Sequence, residues 1–348
     1  MESKDFSCNI NPLGLPKGLL ERIDLGKLVS SYPDHTNRKA IRSISEHYAL
    51  SEENLAIGGG STEFFFTIPS ALNITTGVLV TPTFWGYEAS LKHAKRNVMY
   101  FKTHARNGFE IDLTKLRELL SATNGGNNNQ ALYLCNPNNP TSTLMNPKEI
   151  LQLCKDFPTT KFIVDETYLL FRQDYDDLSL MKEASESNNL VVITSFSKFF
   201  SVPGVRIGMC CSSRGNVEAI TKHQIPYGIN NLAQTLIPYL LGNHEFIRES
   251  REFMENERRR IYQLVKENPH LHPYEPQANF MLVKIRDKNI NSTDIVDYLK
   301  RDGMSVRDGS EFVGLGKQYI RFSIRENRDD NLLLNTINGY YNSRIKPS

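Results

Sequence analysis

Residues 190–206 read LVVITSFSKFFSVPGVR. The first five are apolar and rich in β-branched side chains, which fits a strand buried on both faces. Behind them stand Ser195, Ser197 and Lys198, and Arg206 follows the lysine at a distance of eight residues. Outward from this stretch, similar runs recur at GVLVT (77–81), ALYLC (131–135), KFIVD (161–165) and VRIGMCC (205–211). Helical patterns separate them at 61–72, 86–95, 112–121 and 147–155. Buried strands alternating with helices predict an α/β fold, a parallel-rich sheet covered on both faces, over residues 40–235.

From residue 236 the pattern changes. Long helical stretches bracket NFMLVKI (279–285) and YIRFSI (319–324). This predicts a smaller α+β domain over 236–348, joined by the N-terminal segment 1–39. TNGGNNNQ (123–130) reads as a surface turn, and there is no internal repeat.

Composition sets the function classes. The 348 residues are 39% hydrophobic and 23% charged, with a net charge of +2. That is ordinary globular composition, without an electrostatic footprint for nucleic acid or an acidic membrane. Arg258-Arg259-Arg260 lies in a helix-period stretch, 243–268, whose apolar face carries Phe246, Ile247, Ser250, Met254, Ile261 and Leu264; the cluster is expected to be a solvated helix face. The five cysteines are odd in number and form no C-x-x-C pair, so neither a metal site nor a disulfide framework is expected. The opening MESKDFSCNINPLG has no apolar signal core, and no apolar run approaches the ~20 residues of a membrane span. A cytoplasmic location is expected.

Ligands of open α/β sheets bind outside the carboxyl ends of the strands. Asp165, Glu166 and Tyr168 follow KFIV, and Asn136-Pro137-Asn138-Asn139-Pro140-Thr141 follows ALYLC. Ahead of the first helical pattern stands Gly58-Gly59-Gly60-Ser61-Thr62-Glu63. Each piece alone has an ordinary use as a helix cap, a solvated cation or a turn. Together, four polar clusters at one end of four consecutive strands supply an anion cradle, a carboxylate, an amine and a second cation. Pyridoxal 5'-phosphate (PLP) chemistry requires that set. It needs an amine for a Schiff base, a carboxylate against the ring nitrogen, an aromatic face, and amides, hydroxyls and an arginine for the phosphate.

At these residues the chain resembles fold type I PLP enzymes, the PLP-dependent transferase fold of aminotransferase class I/II, over nearly its whole length. The carriers are S-F-S-K-x7-R, D-E-x-Y and NPNNPT in their family order. The resemblance implies that Lys198 forms the Schiff base and shuttles the proton, Asp165 pairs with the ring nitrogen, and Asn139 and Tyr168 bond the phenolate oxygen. Phe84, in TPTFWGY, would stack on the ring in preference to Trp85. Ser61, Thr62, Ser195 and Arg206 would hold the phosphate, with Ser197 nearby. Tyr32, in SSYPD, would reach the phosphate of a neighbouring subunit, which implies a homodimer with shared active sites.

Within the group, Asp5-Phe6-Ser7-Cys8-Asn9-Ile10-Asn11-Pro12-Leu13-Gly14 and VPGVR (202–206) look most like threonine-phosphate decarboxylase of cobalamin biosynthesis, and next like histidinol-phosphate aminotransferase. Arg307 and Arg321 match the arginines that read substrate anions in both, and Asn9 matches a substrate contact of the decarboxylase. Arg325 is expected on the strand face of Arg321 if that strand continues. The chain departs from the pattern in three places. It opens after the position of the decarboxylase's His-Gly-Gly segment, Ser142 replaces a glycine, and Gly59 replaces an asparagine. The implied reaction is decarboxylation of an O-phospho-amino acid, with transamination as the alternative. A PLP-binding regulator without turnover is the remote alternative, set aside because the chain opens directly into DFSCNINPLG and has no basic DNA-binding segment.

Overall fold

The computed structural model describes residues 4–123 and 129–345. The turn expected at 123–130 therefore lies largely outside the described residues. In chain order the strands are β1 (Lys4–Asp5), β2 (Leu55–Gly58), β3 (Thr76–Thr81), β4 (Asn97–Lys102), β5 (Gln130–Cys135), β6 (Lys161–Asp165), β7 (Leu190–Ser195), β8 (Gly208–Ser212), β9 (Leu271–Pro273), β10 (Phe280–Ile285), β11 (Met304–Ser305), β12 (Arg307–Asp308) and β13 (Tyr319–Ser323). Among the described residues, a seven-stranded sheet runs β2-β8-β7-β6-β5-β3-β4 and a four-stranded sheet runs β12-β13-β10-β9.

Alternation within the strands feeds two cores. Val78, Leu132, Leu134, Phe162, Val164 and Val192 enter one layer, while Leu79, Tyr133, Ile163, Val191 and Ile193 enter the other. Each fully buried aliphatic of this kind contributes roughly 1.5–3 kcal/mol relative to exposure. That double burial is why these strands read as continuous apolar runs. The edge strand β4, NVMYFK, is exposed at three of its six residues and buried at one, and is not expected from the sequence.

Two expectations about the sheet are corrected. β8 is antiparallel to both β2 and β7 and lies between them, so the four polar clusters do not follow four consecutive strands. The Gly-rich stretch is also not ahead of the first helix, because helices Leu25–Val29 and Arg38–Tyr48 precede it. Reversal of β8 has a geometric consequence. Gly208 is in register with Gly58 on one side and Ser195 on the other, so the chain just before it delivers Arg206 to both strand ends. A Cβ on Gly208 would stand 2.5 Å from the Gly60 carbonyl carbon and the Ser61 nitrogen. Gly208→Ala is expected to cost about 1–3 kcal/mol of stability by overpacking. Thermal unfolding of the variant tests this.

The arginine cluster is also corrected. On helix His244–Lys266 the buried positions are Phe246, Ser250, Met254, Arg258, Ile261 and Val265. Arg258 is buried against Glu255 and the Gln277 carbonyl, and Arg260 pairs with Glu257 and the buried Asp330. Only Arg259 of the three is well exposed, at 75%. A period of 3.6 carries the inward face through position 258, and local acids make burial of a guanidinium tolerable there.

The N-terminal segment crosses between the sheets. β1 pairs in parallel with β11, the Ser323 amide donates to the Phe6 carbonyl, and the Asn11 amide donates to the Lys198 carbonyl. No helix among the described residues is long and apolar enough to cross a membrane.

Candidate active site

A cavity of 280 Å³ opens at the carboxyl ends of β5, β6 and β7. It gathers thirteen of the fourteen site residues expected from sequence: Asn9, Ser61, Thr62, Phe84, Asn139, Asp165, Tyr168, Ser195, Ser197, Lys198, Arg206, Arg307 and Arg321. Tyr32 is not among its lining. It stands 88% exposed, with its ring 5.7 Å from that of Tyr227.

Lys198 sits on the one-turn helix Phe196–Phe199 immediately after β7, with the Ser195 hydroxyl accepting from the Ser197 amide at its start. Burial lowers the lysine pKa; Arg321 and Arg206 lower it further, against an opposing contribution from Cys8. A neutral amine is thereby more accessible than on a surface lysine.

Asp165 ends β6 and is 6% exposed. Tyr87 donates its hydroxyl to Oδ2 at 2.7 Å, and the Thr167 amide donates to Oδ1 at 2.9 Å. Burial raises the Asp165 pKa, while the bonds from Thr167 and Tyr87 act against that rise. A cationic ligand nitrogen beside it would favour the carboxylate. Tyr87 was missed from sequence. Its signal was its place three residues after Phe84, one turn along helix Trp85–His93. Phe84 is half-buried and lies edge-on to Tyr87 at 5.5 Å, whereas Trp85 is 57% exposed. A Cβ on Gly86 would meet the Phe84 ring at 2.3 Å, so glycine there lets the ring lie across the helix start.

The anion cradle forms where β2 runs into helix Ser61–Ala71. Gly60 has φ +88°, and a Cβ on it would fall 2.5 Å from Nη2 of Arg206. Glu63 accepts from the Gly59 amide at 2.6 Å and from Gln224 at 2.8 Å, which ties the loop down. The first amides of a helix lack partners within it and point toward this space. Arg206, itself at φ +61°, approaches from the opposite side, with the Ser195 and Ser197 hydroxyls bonded to the Ile207 carbonyl beneath.

The three asparagines of the 136–141 stretch divide their work. Asn136 brackets Met145 through both its amide and its carbonyl, and Asn138 bonds Pro82, Thr83 and Thr141. Only Asn139 of the three lines the cavity, its Oδ1 accepting from Nη1 of Arg321 at 2.6 Å. Ser142 keeps a positive φ of 61° and accepts the Gln277 and Ala278 amides on its hydroxyl. Replacing the glycine thus adds a tie to the segment before β10.

Arg321 is 5% exposed. Besides Asn139 it donates to the Ser7 carbonyl and lies over the Phe280 ring at 5.3 Å, while its Nε is buried without a partner. Burial brings its pKa down to about 10, so it stays cationic at neutral pH. Arg307 faces it across β12 and β13, and pairs with Glu311 at 2.8 Å. Asn9 donates to the Tyr168 hydroxyl at 3.2 Å, and its own Oδ1 is buried and unpartnered. Arg325 does not join them. The strand ends at Ser323, and Arg325 turns to Asp329 and the Asp5 carbonyl over the Phe6 ring. Cys8, Cys135 and Thr167 also line the cavity and were not expected from sequence.

The donor set fits a phosphorylated pyridine aldehyde: an amine, a buried carboxylate, an aromatic face, and a cradle that a single Cβ would fill. The family model for aminotransferase class I and II matches residues 6–337. The chain belongs to the aminotransferase class I and II family. Its cofactor is pyridoxal 5'-phosphate, and it is a PLP-dependent enzyme. The threonine-phosphate decarboxylase of Salmonella typhimurium is 26% identical, over 95% of this chain and 89% of that one. The structure of the histidinol-phosphate aminotransferase from Clostridium acetobutylicum is also 26% identical, with a TM-score of 0.89 over 98% of this chain and 99% of that one. The histidinol-phosphate aminotransferase of Sinorhizobium meliloti, in complex with pyridoxal 5'-phosphate, shares the fold at a TM-score of 0.86 and 21% identity, over 97% of this chain and 92% of that one. Family membership is thus shared equally by a decarboxylase and a transaminase.

Proposed function

We propose that this enzyme removes the carboxylate of an O-phospho-amino acid as CO2. The observation that carries the substrate class is the cation pair on β12 and β13: Arg307 and Arg321 are directly in register, and both line the cavity, while the choice of decarboxylation rests on the resemblance of residues 5–14 and 202–206 to the decarboxylase. Two adjacent guanidiniums suit a substrate with two anionic groups, one carboxylate and one phosphate. The resemblance of the opening stretch around Asn9 to the decarboxylase supports this reading, and Asn9 lines the cavity.

When bound, PLP supplies an electron sink for the pair left by a bond broken at the substrate α-carbon. In this reading Asp165 holds the ring nitrogen, Tyr168 and Asn139 the phenolate oxygen, and Phe84 the ring face. Ser61, Thr62, Ser195, Ser197 and Arg206 hold the phosphate. Arg321 and Arg307 orient the substrate so that its carboxylate, rather than its α-hydrogen, stands where the bond breaks. CO2 leaves, and Lys198 Nζ delivers a proton to the α-carbon. Tyr32 would serve a second copy of the chain. A homodimer is supported by the exposed Leu20, Leu25, Val29, Tyr32, Ile225 and Tyr227.

Transamination is the second reading, favoured by the high structural likeness to the Clostridium acetobutylicum enzyme. Incubation of the PLP-loaded enzyme with O-phospho-L-threonine, O-phospho-L-serine and L-glutamate separates the two. CO2 release with the starting spectrum restored supports decarboxylation. Conversion to the pyridoxamine form without CO2 overturns it in favour of transamination.

Tyr87→Phe removes a donor to Asp165 and is expected to weaken PLP binding about tenfold, the worth of one hydrogen bond to a charged group. An equilibrium PLP titration measures this, and unchanged affinity would contradict the role given to Asp165.

A further inference from the structure

We propose that Glu311 is a charge gate on Arg307, setting how strongly the outer part of the site responds to the number of negative charges a ligand carries. The inference rests on the reading of Arg307 and Arg321 as the substrate's anion-binding pair.

Like charges directly opposed across two strands repel, so each arginine needs compensation. Arg321 obtains it from neutral groups, namely the Asn139 side chain, the Ser7 carbonyl and the Phe280 ring. Among the described residues it has no carboxylate within ion-pair distance. Arg307 obtains a full counter-charge, with Glu311 Oε2 standing 2.8 Å from its Nε. The inner cation therefore has no counter-charge against it, and the outer one is partly offset.

Glu311 is held where it is by the turn that carries it. Asp308 accepts from the Ser310 amide at 2.8 Å and from the Ser292 hydroxyl at 2.6 Å. Gly309 is so close to β13 that a Cβ would meet the Tyr319 carbonyl oxygen at 2.4 Å. Arg307 lines the cavity and Glu311 does not, so the acid approaches the guanidinium from outside. Glu311 faces the Nε side of the guanidinium, so the two Nη groups remain for a ligand oxygen pair. The two side chains are 39% and 52% exposed. A pair this exposed is weak, so an incoming anion can share or displace it. Glu311 thus dims the charge of Arg307 without blocking its access to the cavity.

Glu311→Gln keeps the shape while removing the charge. The test uses the PLP-loaded enzyme, whose cofactor occupies the inner phosphate cradle, with inorganic phosphate and acetate titrated by calorimetry. Glu311→Gln is expected to bind phosphate about three- to tenfold more tightly, with a smaller gain for acetate. The gain should vanish in Glu311→Gln combined with Arg307→Ala. Unchanged or weaker phosphate binding in Glu311→Gln, a gain that survives loss of Arg307, or no phosphate binding by the parent enzyme would each overturn the gate. Failure of every phospho-amino acid as substrate, with these affinities as expected, would sink the functional reading and leave the gate standing.

Discussion

Lys198→Ala lowers turnover by at least about a hundredfold to ten-thousandfold, the usual worth of a positioned proton-transfer group, and abolishes the visible absorbance of lysine-bound PLP. The reason lies in what stands around the lysine. It is the only lysine among the cavity-lining residues, and burial keeps its amine less basic than a solvated one. Its removal leaves the strand ends, Asp165 and the anion cradle in place. The fold therefore stays intact, and thermal stability holds or rises because a half-buried amine no longer has to be desolvated. Activity assays, absorbance spectra and thermal unfolding of the variant check the three parts separately. A variant that retains the absorbance band would refute the assignment.

Arg321→Ala weakens substrate binding far more than cofactor binding. Truncating one member of a buried charged contact costs roughly 2–5 kcal/mol, which is roughly thirtyfold to several-thousandfold in affinity. Arg321 touches Asn139, Ser7 and Phe280 but no residue of the Gly60–Arg206 cradle, so PLP affinity is expected to fall less than substrate affinity, by no more than the loosening of Asn139 at the phenolate oxygen. Lysine should not rescue it. Arg321 stays protonated under burial that already brings its pKa down to about 10, and an ammonium has neither that reserve nor the fork. Substrate Kd and PLP Kd, measured on the same preparation, decide the matter. A fall in PLP affinity with substrate affinity preserved would contradict the placement of Arg321 at the substrate.

Much of this was legible in the sequence, for physical reasons. Strands β3, β5, β6, β7 and β8 are buried on both faces, and their continuous apolar runs report that burial directly. Polar groups following such runs point to one end of a sheet, which brings Ser61, Thr62, Asn139, Asp165, Tyr168, Ser195, Ser197, Lys198 and Arg206 into view, whereas Asn9, Phe84, Arg307 and Arg321 follow from the family resemblance alone. Other features left weaker traces. β4 is an exposed edge and β2 is only four residues long. Apolar content does not encode strand direction, so the reversal of β8 that delivers Arg206 was unread. Arg258 was read as solvated because a cation normally marks the outer face of a helix, and only tertiary acceptors and Glu255 make its burial tolerable. Tyr87 and Glu311 act through neighbours, Asp165 and Arg307, rather than through a motif, and such second contacts become visible only once distances are known.

The most direct measurement is borohydride reduction of the PLP-loaded enzyme, followed by digestion and mass analysis of the labelled peptide. The account predicts a single pyridoxyl-phosphate adduct, on Lys198. An adduct on a different lysine, or none on an enzyme that is active and PLP-dependent, would contradict it.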